Sequence, residues 1–234
     1  FSLGYGQRED NYFQSSVIDF DKDRSDRSTY KLLGGSIGFY GSTLNTRQYA
    51  TKGYLEKLIA QVFTGRERFE PGNPQEGYSP SPQERQSWLQ ISYMKEAYHT
   101  MGPKFTLGWM AEALYSSKNF SENYTATMMQ AGEFAPTPHS KLMYNEAFRA
   151  NQYVAAGIKP IYVLNDMFQF RTEFYGFTPI FPIKKNALNK AYYGKAFSRF
   201  EYMGEVSVIC HLPFGAISAY VNHYSSPRRE WNVG

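Results

Sequence analysis

The chain is almost without cysteine: Cys210 stands alone in 234 residues, so a disulfide framework is excluded. It also lacks any uninterrupted apolar run of about eighteen residues, which excludes a membrane-crossing helix. Membrane-crossing strands stay open, because their apolar residues fall at every second position and escape a hydropathy average. Charge of one sign is not in excess. Lys and Arg number 25 against 21 Asp and Glu, a net of +4, too mixed for a disordered tail and too mild to demand nucleic acid. Glycine (19) and proline (12) stay near average, which removes collagen-like and low-complexity classes. His99, His139, His211 and His223 form no H-x-x-x-H or H-E-x-x-H pair, so neither a metal nor a cofactor is expected. Phe1-Ser2-Leu3-Gly4 carries no initiator Met, basic n-region or apolar h-region, and we expect a mature or trimmed product.

What the chain does have is aromatic side chains. Tyr, Phe and Trp make up 18% of it, yet the mean hydropathy is negative, so the rings are spread among polar neighbours. No composition shift or Gly/Pro-rich linker divides the sequence, and residues 1–234 read as a single domain.

The dominant periodicity is two. Phe105, Leu107, Trp109, Ala111, Ala113 and Tyr115 share one parity, with Thr106, Gly108, Met110, Glu112 and Leu114 on the other. From Met167 to Thr178, Phe168, Phe170, Thr172 and Phe174 alternate with Gln169, Arg171, Glu173 and Tyr175. Near the end, Phe200, Tyr202, Val206 and Val208 alternate with Arg199, Glu201, Glu205 and Ser207. In strands these parities are opposite faces, one apolar and one carrying charges of both signs. Further strands are expected at Tyr30–Ser42, Trp88–Tyr98, Tyr124–Glu133, Phe148–Ile158 and Ala216–Tyr224. Tyr54–Phe63 is the one helical rival, since Leu55, Leu58, Ile59 and Val62 fall at helical spacing. Asp19–Ser28 and Glu67–Gln86 read as long polar loops, with shorter breaks at Met101–Pro103, Pro136–Ser140 and Lys184–Lys190. Alternating short and long connections suit an up-and-down antiparallel meander.

Candidate chemistry is sparse. Gly34-Gly35-Ser36-Ile37-Gly38 matches G-x-S-x-G, but a nucleophile elbow needs a helix after the serine, and Phe39-Tyr40-Gly41 continues a strand pattern. Glycines in a strand more often permit bending or close packing. Glu201 and Glu205 share their parity with Arg199, which suits a charge-paired face better than an acid–base pair. Two sequons begin at Asn119 and Asn123 and carry no weight without a secretory context. Interspersed basic and aromatic residues could suit single-stranded nucleic acid, but no stretch concentrates the basic ones.

The segment Ser42-Thr43-Leu44-Asn45-Thr46-Arg47-Gln48-Tyr49-Ala50-Thr51-Lys52-Gly53 is similar to one opening a barrel strand in the C-terminal membrane domain of Bacteroides-type patatin-like phospholipases. Thr64–Gly72 looks like the continuation of the same region. Phe200–Val208, followed by Leu212-Pro213-Phe214-Gly215-Ala216-Ile217-Ser218, resembles the penultimate strands of these barrels, which look related in turn to BamA-type outer-membrane assembly and secretion proteins. The resemblance spans roughly the whole chain and is sharp in those two blocks. It implies that Tyr54–Phe63 is a strand.

The resulting expectation is an all-β, antiparallel up-and-down transmembrane β-barrel in a Gram-negative outer membrane, incomplete, with about ten to twelve strands present. Phe168, Phe170, Phe174, Phe200, Tyr202, Val206 and Val208 are expected to face lipid. Gln169, Arg171, Glu173, Arg199, Glu201 and Glu205 are expected to face the lumen. The family's enzyme is a separate N-terminal patatin domain with a Ser–Asp dyad, and no residue here matches it, so this chain is expected to anchor that domain, and to serve as its conduit, without catalysing. Expected partners are membrane lipids, the parent's N-terminal domain and a second copy of the chain in a homodimer; nucleic acid is not expected. Two other classes remain open. One is a soluble all-β barrel or sandwich binding an apolar ligand, with the aromatic parity inside. The other is a hydrolase using Ser36.

Overall fold

The computed structural model describes residues 1–14, 19, 23–73, 85–225 and 231–233. In chain order its strands are β1 (Ser2–Tyr12), β2 (Asp26–Ser42), β3 (Gly53–Glu70), β4 (Arg85–Thr100), β5 (Phe105–Ser116), β6 (Gly132–Glu133) and β7 (Arg149–Ala150). They continue as β8 (Gln152–Val163), β9 (Phe168–Pro179), β10 (Ile183–Lys185), β11 (Ala191–Tyr193), β12 (Glu201–Leu212), β13 (Gly215–Tyr224) and β14 (Trp231–Val233). Ten of them form one antiparallel sheet in the order β1-β2-β3-β4-β5-β8-β9-β12-β13-β14. The two small hairpins, β6 with β7 and β10 with β11, lie in the connections. The up-and-down meander is therefore present. Closure is not: among the described residues β1 and β14 are the two edges of an open sheet. A barrel needs its first and last strands to share a ladder, and the three residues of β14 offer little ladder to the eleven of β1.

Period-two sequence makes these strands because each face finds a consistent environment. β3 is the instructive case. Its helical spacing is overruled by ladders on both sides, which send Leu55 and Ile59 to one face and Leu58 and Val62 to the other. The expected strand at Tyr124–Glu133 is instead mostly helix, α1 (Tyr124–Gln130). Asn123 caps it, accepting from the Ala126 amide at 2.9 Å and donating from Nδ2 to the Tyr12 hydroxyl at 2.8 Å. Two further starts shift. The strand expected from Phe148 begins at Gln152, because Phe148 ends a helical turn and is buried. The strand expected from Arg199 begins at Glu201. The loop expected over Glu67–Gln86 is shorter at both ends, since β3 runs to Glu70 and β4 starts at Arg85; residues 74–84 lie outside the described residues. Of Asp19–Ser28, residues 20–22 lie outside them and β2 already starts at Asp26. Lys184–Lys190 is the turn of the small hairpin β10–β11.

Connections 43–52, 101–104, 164–167 and 213–214 lie at one end of the sheet, and the long ones, 117–151 and 180–200, at the other. One face of the sheet is covered by connections and is called inner here. At the long-connection end, segment 117–151 sends Phe134, Ala147 and Phe148 against Tyr153, Tyr175, Phe177, Met203 and Tyr224, which together form the main core. Phe134 packs its ring on those of Tyr153, Tyr175 and Phe177 at centroid distances of 6.2, 6.1 and 5.9 Å. At the other end, Ala50 is buried with Tyr98 and Ile161.

Candidate functional site

On β9 and β12 the exposed parity is apolar and the buried one polar. On β9, Phe168, Phe170 and Phe174 are 37%, 46% and 54% exposed, while Gln169, Arg171 and Glu173 between them are 2%, 2% and 6% exposed. β12 repeats the pattern, with Tyr202, Val206 and Val208 exposed and Glu205 and Ser207 buried. The ladder joins these into one outer surface: Val208 lies opposite Phe170, Ile158 opposite Phe174, Tyr162 opposite Phe170 and Val206 opposite Val221. Ile37 and Phe39 on β2, Leu58 and Val62 on β3, and Leu89 and Ile91 on β4 extend it across the sheet. An apolar surface of this extent marks an interface with another apolar phase or partner. One ion pair interrupts it near the short-connection rim, where Lys95 reaches Glu56 at 3.5 Å and the Tyr93 hydroxyl donates to Glu56 at 2.7 Å.

Phe200 is exposed just before β12 begins. Arg199 and Glu201 pair at 2.8 Å but are only partly buried, since they sit at the sheet's end, where Ser225 also donates to Glu201.

The inner face carries a charge network. Lys159 on β8 donates to Glu96 on β4 at 2.9 Å. Arg171 donates from Nε to Glu173 at 3.0 Å, from Nη1 to the Ala50 carbonyl at 3.0 Å and from Nη2 to the Tyr98 hydroxyl at 3.4 Å. Tyr98 donates to Glu96 and Tyr175 to Glu173, and the Lys159 ammonium lies over both rings at 5.8 and 5.7 Å. Two cations and two carboxylates thus neutralise one another inside the protein, the condition on which buried charge is tolerated. Connection 43–52 closes over this network. Tyr49 takes a left-handed φ of 56°, donates its hydroxyl to Ser218 at 2.8 Å and accepts at its carbonyl from Gln169 at 3.2 Å. A cavity of about 740 Å³ remains at this end, bordered by Asn45, Lys52, Lys104, Asp166 and His211 among others. Glu205 lies opposite Glu173 in the ladder, and its Oε2, the Ser207 Oγ and the Asn222 Oδ1 are buried without a hydrogen-bond partner.

Alternation alone pairs Gln169, Arg171, Glu173 and Glu205 on one face. It did not reveal Glu96, Tyr98 or Lys159, whose contacts cross between strands far apart in sequence. A signal existed for Lys159, a lone charge inside the apolar run Ile158-Lys159-Pro160-Ile161.

Ser36 sits in the middle of β2, which runs unbroken through it, so the strand–turn–helix geometry of a nucleophile elbow is not formed. Its hydroxyl is 2.7 Å from that of Ser2 on the neighbouring strand. Among the described residues no three of His, Cys, Asp and Glu converge as a metal site would require, and no helix is long and apolar enough to cross a membrane.

Lys118, just past β5, lies over the rings of Tyr30 and Trp88 at 5.4 and 5.1 Å and donates to Gln130 at 3.1 Å. Burial, only partly offset by Glu67, pulls its ammonium down to about 8. An unfolded lysine titrates near ~10.4. The folded state therefore resists the proton, and the penalty, full below about pH 8, is relieved as pH rises toward ~10.4. The urea midpoint of the wild type is expected to rise relative to that of Lys118→Met between about pH 7 and pH 10. Parallel pH profiles for the two proteins would mean that the ammonium is hydrated.

No protein-family model, no curated protein and no solved structure matches this chain.

Proposed function

We propose that this chain is a membrane-embedded β-sheet domain of a Gram-negative outer membrane, whose task is to anchor an attached patatin-type lipid-hydrolase domain. The observation that carries the membrane reading is the inverted alternation on β9, with Phe168, Phe170 and Phe174 outside and Gln169, Arg171 and Glu173 inside. A soluble barrel or sandwich has the opposite need, aromatic rings within and charges in water. In hydrocarbon the outer face loses nothing by being apolar, and the ladders satisfy the backbone of the strands between β1 and β14; those two edges need a partner strand, from the rest of the parent chain or a second copy, to close the sheet. From Tyr54 to Val62 the outer parity of β3 spans about 26 Å along the strand at ~3.3 Å per residue, comparable to an outer-membrane apolar band, with Glu56, paired to Lys95, the charge within it. The attached hydrolase rests on the resemblance of Ser42–Gly53 and Phe200–Ser218 to patatin-type barrels. Filling of the inner face from both ends, by connections 43–52 and 117–151, favours anchoring over open passage.

Tryptophan quenching tests the reading. Trp109 lies on the outer parity of β5, opposite Ala97 and Ile158, whereas Trp88 lies on the inner parity of β4 and stacks on Phe63 at 5.1 Å. A variant keeping only Trp109 is expected to lose fluorescence in bilayers of lipids brominated on their acyl chains, and one keeping only Trp88 to be nearly unaffected. The unboiled protein should also migrate differently from the boiled protein in a detergent gel. A chain that is β-rich and monodisperse in plain buffer overturns the membrane reading in favour of the soluble one.

A further inference from the structure

On the outer face of β1 to β4, beyond the apolar surface toward the long-connection end, the ladder sets four polar residues in one row. Gln7 lies opposite Lys31, Lys31 opposite Arg66, and Arg66 opposite Arg85. All four are exposed. Adjacent strands are about 4.8 Å apart, and like charges placed directly opposite destabilise a ladder. Three cations in consecutive register therefore work against the sheet unless something anionic joins them.

The charges farther toward the end of the strands differ. Arg27 is bonded to Glu70, opposite it in the ladder, and lies 3.8 Å from Glu9; Arg68 reaches Glu70 at 2.9 Å. Those cations have their counter-charges within the protein. Among the described residues, no ion pair includes Lys31, Arg66 or Arg85; Arg85 donates from Nε to Thr64 at 3.0 Å. The unneutralised row is thus the one closest to the apolar surface. One step inward the outer parity reads Tyr5, Leu33, Thr64 and Ser87, and the next step brings Val62 and Leu89. A cleft of about 410 Å³ opens between Gln7, Lys31, Arg66 and Arg68.

We infer that this row binds the phosphate of an anionic lipid in the surrounding leaflet, a step that rests on the membrane reading above. The vertical order of the side chains matches such a molecule, with acyl chains along Leu33, Val62 and Leu89 and the headgroup at Lys31, Arg66 and Arg85. Guanidinium groups take phosphate oxygens in pairs, and cations about 4.8 Å apart let one phosphate bridge two strands. A phosphate bound there removes the repulsion across two strand pairs, Lys31 with Arg66 and Arg66 with Arg85.

The test uses the full chain folded in uncharged detergent, with bound lipid counted by native mass spectrometry. Phosphatidic acid, phosphatidylcholine of the same chain length and inorganic phosphate are the three probes. Phosphatidic acid is expected to be retained at least about tenfold better than phosphatidylcholine, and the preference to fall about tenfold in K31Q/R66Q/R85Q, the size of one lost charge-assisted contact. Arg66→Gln, at the centre of the row, is the smaller change should the triple variant fold poorly, and it is expected to lose part of the preference. Lys95→Gln, on the outer face near the other rim, should keep it. Equal retention of the two lipids overturns the inference, as does a preference unchanged in both row variants. Inorganic phosphate displacing phosphatidic acid at equal concentration overturns it too, because the apolar surface would then contribute nothing. The two readings fail separately. A chain folded in plain buffer sinks the membrane location, whereas one folded only in detergent but indifferent to headgroup sinks the row alone.

Discussion

Val206→Arg is expected to cost the lipid-embedded protein about 2–4 kcal/mol, the range for a cation on the lipid face of a membrane strand near mid-depth. Val206 is 57% exposed in the middle of β12, flanked in register by Thr172 and Val221. In water the same change would place a charge on an open surface, where substitutions stay within about 0.5 kcal/mol. The two environments therefore predict different numbers for one variant. Ser207→Val, its neighbour, supplies the internal comparison, since Ser207 is buried on the inner face and a change there does not depend on the solvent outside. Urea titration in micelles, followed by tryptophan fluorescence, reads both. A midpoint for Val206→Arg equal to that of the wild type would sink the proposed lipid contact at this strand.

Arg171→Met is expected to be more damaging still, at about 3–5 kcal/mol, because it leaves Lys159 as one cation between the buried Glu96 and Glu173 and strips the Ala50 carbonyl of its donor. Removing both partners is a different matter. In Arg171→Met/Glu173→Leu the desolvation cost disappears with the charges, and the double variant should recover much of the loss, as buried pairs replaced by apolar residues do. Losses that simply add would mean that Arg171 and Glu173 act separately, through the connection and through Tyr175. A single-variant loss below about 1 kcal/mol would mean that the inner face is wet.

Much of the architecture is legible in alternation. The strands β2, β4, β5, β8, β9, β12 and β13 emerge where aromatic and aliphatic residues take every second position, because a pleated backbone turns that rule directly into two faces, whereas the helical spacing of Leu55, Leu58, Ile59 and Val62 hides β3. Which parity is buried is not contained in the alternation, since Phe170 outside and Arg171 inside have the same period as the reverse. β1 is not legible in the sequence because Ser2–Tyr12, with Gly4, Gly6, Gln7 and Asp10, has little apolar rhythm, and its ladder to β2 makes it a strand. Tyr124–Gln130 misled because a seven-residue helix with one buried side shows too few turns to declare a period, and only the cap at Asn123 marks it. In the inner network, the members on β9 and β12 could be paired from sequence, but Glu96 and Lys159 meet only because the sheet brings β4 and β8 to either side of β5. Nothing in the sequence of connection 43–52 announces that Tyr49 and Ala50 turn inward.

The meander has a consequence for the order in which the protein can be built. Every ladder in the large sheet joins strands that are next to each other in its sequence order, so each hairpin can add to the last at a small loop-closure cost. Connection 43–52 cannot follow that schedule. Ala50 can already pack on Tyr98 of β4 and Ile161 of β8, but the hydrogen bonds of Ala50 with Arg171, the Tyr49 carbonyl with Gln169 and the Tyr49 hydroxyl with Ser218 need β9 and β13, more than a hundred residues downstream. The segment emerges early, waits while strands are laid down one after another, and is fastened only when the late strands arrive. Growth of the sheet is thus a local, sequential process, whereas fastening connection 43–52 over the inner face waits for β9 and β13.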